Sequence, residues 1–479
     1  MLFNSYEFLF CFFPVVLILY YLLGQLKQNA PRQIMLIAAS LVFYGWLNPS
    51  YVFIIISSIL VNYAVMLLLF RDFSDTVRKC ILTGGIVFNV LLIGYFKYYD
   101  FFISNLNTLF KTDFALKYIA LPLGISFYTF QQIGFIVDAY RKTSEKYPPL
   151  DYALFVTFFP QLVAGPIVKH SEIIPQFRDA KSRRLNIDNL MNGFLLISFG
   201  LAKKVLLADT LALEVNWYWS NMEAASSADA WLAVIMYTLE IYFDFSGYCD
   251  MASGIASCMN IKLPINFNKP YIATSIVDFW SRWHMTLTRF LREYIYFPLG
   301  GNRKGRLRTC LNIMIVFLIS GLWHGANWTF VLWGALHGLL NVFERLTGRF
   351  RERIPRIITG AFTFVFVNLT WVLFRAPSLS AAFDTYKKLT GSDFTVNSFM
   401  LMNYYLIDFK FLDRTVFSSD PYLYNMLFIL IIGLLMALVP KPVNRPEEKK
   451  PVTLCIAGVL LVWSVLSLSI GGTFIYFNF

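Results

Sequence analysis

The chain has 479 residues, of which 57% are hydrophobic and only 15% are charged, whereas soluble domains carry about one quarter charged residues. This composition excludes a set of soluble domains and indicates a polytopic membrane protein. The formal charge of the chain is +12, and in a membrane protein such an excess of Lys and Arg usually lies in the cytoplasmic loops. Basic and aromatic residues are not interleaved in a way that would favour nucleic-acid binding. The six cysteines form no CxxC pair, which argues against a disulfide framework or a structural zinc site.

Apolar segments of about 20 residues, the length that crosses a bilayer as a helix, occur along the whole chain. Strong candidates are 6–24, 51–70, 81–97, 357–374, 424–440 and 453–470. Shorter or more polar candidates, expected to face other helices, are 34–47, 118–138, 190–207 and 231–248. Glycine and proline interrupt 152–168 and 311–343, so both segments are expected to be re-entrant unless 311–343 forms a hairpin that crosses twice. The first segment lacks a basic n-region and a cleavage site and is expected to remain as a span.

Basic connecting segments predict the orientation, because cytoplasmic loops are enriched in Lys and Arg. Segments 25–33 and 71–80 are net basic and separated by two spans, so both are expected inside and the N-terminus outside. The same rule places 139–150, 169–189, 260–310, 344–356 and 441–452 inside. Segment 208–230, which holds acidic but no basic residues, is expected outside. The result is one all-α membrane domain, 1–479, with ten or twelve spans.

His324 is the most unusual of the four histidines. It follows the apolar run 311–320 and lies in a block, Gly321 to Trp328, whose small residues permit close helix approach. An ionisable side chain at such depth is a functional candidate, and the alternative is a neutral core histidine bonded to a carbonyl. Burial favours the uncharged imidazole, which is able to accept a proton as a general base.

His284 lies in a segment with a helical charge pattern. On one helix, Asp278, Arg282, Arg289 and Glu293 form a charged stripe, and Trp280, His284, Leu287 and Leu291 lie on the opposite face. We expect an interfacial helix within the basic segment 260–310, its apolar face turned to lipid or to the protein core. The alternative to a functional His284 is an aromatic-belt helix whose histidine reaches the interface.

The other two histidines and the nearby carboxylates have structural alternatives. His337 is interpreted as a packing histidine with a possible direct role, and His170 as a solvated residue of a basic stretch. Ser246, Asp250, Ser253 and Ser257 share one small polar face suited to helix packing or to a wet cavity. Asp244 and Asp250 are either an acid–base pair or ion partners of Arg282 or Arg289. The loop 300–306 has no Walker A or Rossmann spacing, so a plain positive-inside loop competes with a phosphate-binding role.

The order of several blocks resembles the membrane-bound O-acyltransferase family, in its bacterial branch that includes the membrane protein of alginate O-acetylation. The blocks are Leu121 to Tyr128 with Tyr140-Arg141, Phe159 to Pro166, Tyr242 to Met251, Asn268 to Tyr271, Asp278 to Arg303, Gly321 to Ala326 and Trp333 to Gly338. The resemblance implies a crater-like fold with tilted and re-entrant helices around a histidine reached from both sides. It implies His324 as the catalytic histidine and His284 as the second functional candidate.

The same resemblance suggests substrates and partners. A cytosolic thioester, acetyl-CoA or an acylated carrier protein, would approach the basic inner face near His284 and residues 300–308, and no cofactor or metal is expected to be bound. Further candidate substrate contacts are Trp280, Arg282, Trp283, Asp244, Ser246, Asn268 and Asn327. A separate extracytoplasmic partner of the SGNH-hydrolase type is implied for transfer to a polysaccharide.

Two alternatives remain open from the sequence. The same fold would also suit D-alanyl transfer from a carrier protein towards teichoic acid. A transporter or scaffold without chemistry is a different class, but transporters commonly contain internal repeats and this chain has no repeated segment.

Overall fold

The computed structural model describes residues 1–348, 353–396, 430–437, 451–468 and 475. Within these residues the regular structure is helical and no strand occurs. The helices are α1 (Glu7–Gly24), α2 (Ala30–Gly45), α3 (Ser50–Leu69), α4 (Asp75–Phe110), α5 (Ile125–Tyr140), α6 (Pro149–Thr157), α7 (Phe159–Leu162), α8 (His170–Arg178), α9 (Ile187–Ser220), α10 (Ser227–Cys258), α11 (Ile276–Trp280), α12 (Met285–Leu291), α13 (Gly305–His324), α14 (Trp328–Leu346), α15 (Arg356–Arg375), α16 (Leu379–Leu389), α17 (430–437) and α18 (Pro451–Leu466).

Six of the described helices have the length and apolar composition to cross a membrane: α1, α3, α4, α9, α13 and α15. They confirm that the chain is an all-α, multi-pass membrane protein. The predicted total of ten or twelve spans stays a prediction. Most of the predicted span 424–440, the end of 453–470 and nearly all of the basic segment 441–452 lie outside the described residues.

Two sequence expectations need correction, and a third agrees with the structure. The span predicted at 118–138 begins as a helix only at Ile125, because Pro122 and the positive φ of Gly124 interrupt the chain before it. The interrupted segment 152–168 agrees with the expectation that it does not cross, because it contains two short helices, α6 and α7, and neither is long enough to do so. The acidic segment 208–230 is not a solvated loop: α9 continues to Ser220, and Glu214 is fully buried.

Helix α10 is the central element of the fold. It begins with a capping box in which Ser226 and Asp229 bond each other's backbone amides. Every residue from Met236 to Ala252 is buried, so this part of the helix is surrounded by protein on all sides, and its buried stretch includes the carboxylates Glu240, Asp244 and Asp250. Helices α9, α15 and α16 pack against it.

Glycines allow α9 and α10 to approach closely. A Cβ at Gly200 would lie 2.7 Å from the carbonyl oxygen of Gly247, and a Cβ at Gly254 would lie 2.7 Å from that of Gly193. Larger residues at these positions would separate the backbones. Small residues at contact positions are the usual means of packing membrane helices, since close contact maximises van der Waals attraction.

His170 is not solvated, contrary to the sequence interpretation. It is 3% exposed, its Nε2 lies 3.2 Å from Asp138 Oδ2, and its Nδ1 lies 3.2 Å from the Tyr147 hydroxyl. The Tyr294 hydroxyl also donates to Asp138, at 2.7 Å. The ring can be buried because both of its nitrogens have polar partners. The basic residues near His170 in the sequence do not reveal these partners.

Candidate active site

His324 ends α13 at the tip of a helical hairpin. Helices α13 and α14 run antiparallel, and a Cβ on either Gly321 or Gly334 would lie 3.3 Å from the Cα of the other. The predicted close approach of helices in this block is therefore present, and 311–343 forms a hairpin. Asn327 caps α14 by accepting from the Thr329 amide at 3.1 Å and donates to the Pro377 carbonyl at 3.0 Å. Asn327 is a candidate substrate contact from the sequence, but both the oxygen and the nitrogen of its side chain are used in these structural hydrogen bonds.

The carbonyl groups at the end of α13 are capped by α4. Lys97 Nζ donates to the carbonyl of Trp323 at 2.6 Å and to that of His324 at 3.1 Å, and the Tyr98 hydroxyl donates to the carbonyl of Leu322. The last carbonyls of a helix have no intrahelical donor, and a cation there also complements the helix dipole. Lys97 thus fixes the backbone that carries His324.

His284 does not lie on a continuous helix, so the predicted single interfacial helix is wrong. Helix α11 ends at Trp280, and α12 begins after His284, whose φ is 43°. The break buries Trp280, Trp283 and His284 together. A straight helix would place Trp283 about 100° from His284 around its axis and would not bring all three side chains into one core.

Asn266 orients the imidazole of His284. Its Oδ1 lies 3.2 Å from His284 Nδ1 and also accepts from the Thr286 amide and hydroxyl at 3.2 and 2.9 Å. Because an amide oxygen only accepts, Nδ1 of His284 carries the proton and the lone pair of the neutral ring is on Nε2. The Asn266 Nδ2 donates to Cys249 Sγ at 3.4 Å.

The structure brings the two predicted histidines together in an aromatic enclosure. The ring centroids of His284 and His324 are 6.5 Å apart, and Trp323 lies 5.9 Å from the first ring and 4.9 Å from the second. His324 is 2% exposed and His284 is fully buried. Rings that pack within 6.5 Å of one or the other histidine belong to Phe127, Phe245, Trp333 and Phe374.

His337 is held by hydrogen bonds on both ring nitrogens. The Trp280 indole donates to Nδ1 at 3.2 Å, and Nε2 lies 3.0 Å from the Thr370 hydroxyl, which itself donates to the Val367 carbonyl. Nε2 therefore carries the proton and donates to Thr370. This arrangement supports the packing interpretation of His337. The indole N–H of Trp280 is likewise used in a structural hydrogen bond.

Asp244 and Asp250 of α10 pair with lysines of α9, not with the arginines suggested by the sequence. Lys204 Nζ lies 2.6 Å from Asp244 and 2.7 Å from Asp209, and Lys203 Nζ lies 2.6 Å from Asp250. Arg289 pairs instead with Glu172 on α8. The lysines were overlooked because their position near the predicted end of a span, 190–207, is typical of residues that reach solvent.

The remaining candidate substrate contacts are Trp283, Ser246, Arg282 and Asn268. Trp283 is buried and stacks on Phe279 at 5.6 Å. Ser246 is fully buried on α10, one residue after Phe245, whose ring contacts His284. Arg282 forms an ion pair with Asp278 at 2.7 Å, and its carbonyl accepts from the Asn268 amide at 2.9 Å.

A cavity of about 610 Å³ lies between α9, α10 and the segment 261–269. Asp250, Ser253 and Ser257 line it, so these three residues of the polar face predicted on α10 do face a cavity; Asn268 lines it as well. Asn266 and Cys249 form its buried end next to His284. Among the described residues, His, Cys, Asp and Glu side chains form no group of three or more that could hold a metal ion.

Comparison with known proteins identifies the family. The family model described as MBOAT, membrane-bound O-acyltransferase family, matches residues 50–380, which include both histidines and the hairpin. This chain belongs to the membrane-bound O-acyltransferase family. It is therefore an acyltransferase.

Similar members of the membrane-bound O-acyltransferase family come from several bacteria. The peptidoglycan O-acetyltransferase of Helicobacter pylori is 43% identical over 422 residues, covering 82% of this chain and 80% of that protein. The probable alginate O-acetylase AlgI of Pseudomonas aeruginosa is 39% identical over 399 residues, covering 81% and 75%. The teichoic acid D-alanyltransferase of Bacillus subtilis is 29% identical over 272 residues, covering 53% and 68%.

Two residues of the site escaped the sequence analysis. Lys97 has a detectable signal, because a lysine inside an apolar span is rare and usually functional or paired. Asn266 has no such signal, since an asparagine in a polar segment is unremarkable until the fold places it against His284.

Proposed function

We propose that this protein transfers acetyl groups from a cytosolic thioester to a hydroxyl acceptor, for O-acetylation of a polysaccharide outside the cell membrane. The observation that carries the proposal is the pair of buried imidazoles, in which His284, at the break between α11 and α12, lies 6.5 Å from His324 at the tip of the hairpin. The similar proteins named for acetylation of peptidoglycan and alginate, which align over about four fifths of the chain, support the acetyl group and the polymer.

The chemistry requires a base and a protected environment. His324 accepts the proton of the acceptor hydroxyl as its oxygen attacks the thioester carbonyl carbon. The C–S bond then breaks, and the proton returns to the leaving thiolate. Aromatic walls around the two histidines exclude water, which would otherwise hydrolyse the thioester. The Nδ1–H of His284 donates a hydrogen bond to Asn266 Oδ1, so the unprotonated Nε2 is the nitrogen available to the substrate.

The donor and acceptor approach from opposite sides in this proposal. The positive-inside rule places the N-terminus outside and the basic segment 260–310 inside a bacterial cell membrane. The donor is acetyl-CoA or an acylated carrier protein used as a substrate, with no bound cofactor. A separate extracytoplasmic protein of the SGNH-hydrolase type completes the transfer to the polymer.

D-alanyl transfer towards teichoic acid is the second candidate. It is supported by the similarity to the Bacillus subtilis D-alanyltransferase, which covers about half of this chain. The acetyl proposal is better supported, because the O-acetylating proteins are more similar and align over more of the chain.

The decisive experiment compares wild type with His324→Gln at equal membrane abundance. Glutamine preserves much of the side-chain volume but cannot act as a base, so acyl transfer should fall by about 10²-fold or more. His170→Gln is the matched control, because His170 is equally buried but lies in the Asp138 network; transfer per folded molecule should stay near wild type. Radiolabelled acetyl-CoA, acetylated carrier protein and D-alanylated carrier protein are supplied separately to identify the donor.

The experiment tests the catalytic base and the identity of the acyl group separately. Unchanged transfer in His324→Gln would remove His324 as the base. Transfer of D-alanine but not acetyl by the wild-type protein would replace the acetyl proposal with the second candidate.

A further inference from the structure

A second cavity, of about 820 Å³, lies where α11, α14 and α15 meet. Its lining follows helical spacing, since Asn341, Glu344 and Arg345 share one face of α14 and Arg356 and Thr359 share one face of α15. The volume lies within the range of about 300–1,000 Å³ that is common for small-molecule sites. The cavity is therefore large enough for a ligand of the size of a lipid headgroup.

This cavity lies at a boundary between membrane and water. Helix α15, which is able to cross the membrane, begins at Arg356, and α14 ends ten residues earlier at Leu346 and packs against it. Exposed apolar side chains of α14 and α15 lie beside the cavity, among them Phe343 at 60%, Leu346 at 61% and Ile357 at 81%. In a membrane protein such side chains face the acyl chains of the bilayer.

Part of the cavity lining is itself apolar and accessible. Ile272 and Val277 line it and are 40% and 50% exposed. A soluble anion would leave these side chains uncovered, whereas a lipid covers them with its acyl chains, and burial of apolar surface is favourable.

The two carboxylates of the cavity are used inside the protein. Glu344 Oε1 accepts from the backbone amide of Ile276 at 3.0 Å, which ties the start of α11 to α14. Asp278 pairs with Arg282 at 2.7 Å and accepts from the Thr274 amide at 3.2 Å. Neither carboxylate forms an ion pair with the other two arginines of the cavity.

These two arginines are Arg345, in the last turn of α14, and Arg356, at the start of α15. Neither guanidinium forms an ion pair or a hydrogen bond within the described part of the chain. A guanidinium binds phosphate oxygens through paired N–H donors, which makes arginine well suited to phosphate recognition. Two such groups in one cavity therefore favour a phosphate as the ligand.

Uncharged polar groups lie in the same cavity. The side chains of Thr274 and Asn341 line it and make no hydrogen bond to another residue that the structure describes. They are able to bond hydroxyl groups of a ligand, which would otherwise lose their hydrogen bonds to water on entering the cavity.

We propose that this cavity binds the headgroup of an anionic phospholipid. The phosphate lies between Arg345 and Arg356, the polar end of the headgroup meets Thr274 and Asn341, and the acyl chains run along the exposed apolar residues of α14 and α15. Basic cavities between membrane helices are a known means of holding anionic headgroups. The bound lipid joins α14, whose other end forms the hairpin that carries His324, to α11 and α15, and it does not depend on the identity of the acyl group transferred.

The test measures lipid binding by the purified full-length protein in detergent. Phosphatidylglycerol and phosphatidylcholine with the same short acyl chains are titrated, and bound lipid is quantified by native mass spectrometry. Phosphatidylglycerol should bind more tightly, because only its headgroup has a net negative charge. The double variant Arg345→Gln/Arg356→Gln should weaken binding of phosphatidylglycerol by about tenfold or more and leave that of phosphatidylcholine nearly unchanged.

Arg71→Gln/Lys79→Gln is the matched control. Both residues are exposed near the ends of the spanning helices α3 and α4, neither lines the cavity, and their substitution removes the same charge. This variant should bind phosphatidylglycerol like wild type. Glycerol phosphate, the same phosphate without acyl chains, should bind wild type much more weakly than the lipid does.

Each result decides the proposal. Wild-type affinity for phosphatidylglycerol in the Arg345→Gln/Arg356→Gln variant, an equal loss in the control, or no preference over phosphatidylcholine would each overturn it. Equal affinities for glycerol phosphate and phosphatidylglycerol would make the ligand a soluble anion and would overturn it too. Thr359→Phe fills the cavity without changing the charge, and it replaces the double variant, with the same expected loss, if that variant does not fold.

Discussion

Lys97 positions the site from outside the histidine cluster. Its ammonium group bonds two consecutive carbonyls at the end of α13, one of which belongs to His324 itself. Hydrogen bonds to a charged donor contribute about 1.5–3 kcal/mol, and loss of a partner leaves a buried acceptor unsatisfied. The bond therefore stabilises both the end of the helix and the direction of the His324 side chain.

Substitution of Lys97 should lower stability and activity together. In Lys97→Met the carbonyls of Trp323 and His324 lose their cationic donor, so we expect about 1–3 kcal/mol of destabilisation. Acyl transfer should fall because His324 shifts. Thermal unfolding and transfer are measured in detergent, with Lys117→Met, an exposed lysine against Tyr95 and Tyr99, as the matched control. Equal melting temperatures for the two variants would contradict the capping role.

Asn266 shows why residue-level prediction was incomplete. The sequence singled out His284 and His324 as functional candidates, and the fold places their rings 6.5 Å apart; their roles in catalysis stay predictions. It did not reveal the orientation of His284, since that depends on a hydrogen bond across 18 residues of chain. The partners of Asp244 and Asp250 were missed for the same reason: helix pairing, not spacing, selects Lys204 and Lys203.

At the scale of elements, the hairpin of α13 and α14 depends on glycine. Gly321 and Gly334 face each other, and a side chain on either would collide with a backbone carbonyl of the opposite helix. Backbone carbonyls cannot move aside as flexible side chains do. The two helices would have to separate, and His324 would move with α13.

Gly334→Leu tests this dependence. Overpacking of a close contact costs about 1–3 kcal/mol or more, so we expect reduced yield of folded protein and loss of acyl transfer. Gly84→Leu is the control, because a Cβ at Gly84 meets nothing within 4 Å. Size-exclusion profiles and thermal unfolding compare the two variants. Wild-type behaviour of Gly334→Leu would show that the helices tolerate separation.

Element boundaries were predictable where hydrophobicity decides them and unpredictable where local chain geometry does. The long apolar helices α1, α3 and α15 match the predicted spans closely. The helix predicted through His284 failed, because burying two tryptophans and a histidine required a break at a positive φ. Periodicity predicts one buried face and does not indicate that a chain will bend to bury two.

At the scale of the whole molecule, the positive-inside rule predicts which loops face the cytoplasm. Arg303→Cys, in the basic loop, should react with a membrane-impermeant maleimide in inverted vesicles but not in intact cells. Asp113→Cys should show the opposite pattern, and the wild-type protein supplies the background of its native cysteines. Labelling of Arg303→Cys in intact cells would contradict this orientation and place the segment 260–310 outside.

His284 sits at a corner of the chain where the backbone adopts the left-handed conformation, with φ of 43°. This conformation costs an ordinary residue about 1–2 kcal/mol, glycine adopts it without that cost, and histidine is among the residues found in it several-fold more often than others. The imidazole adds a hydrogen bond to Asn266 and a contact with Phe245, so among side chains that lack these contacts glycine is favoured here. In a library of variants without the imidazole, selection for thermal resistance should therefore retain glycine more often than alanine at position 284, while both residues should slow acyl transfer.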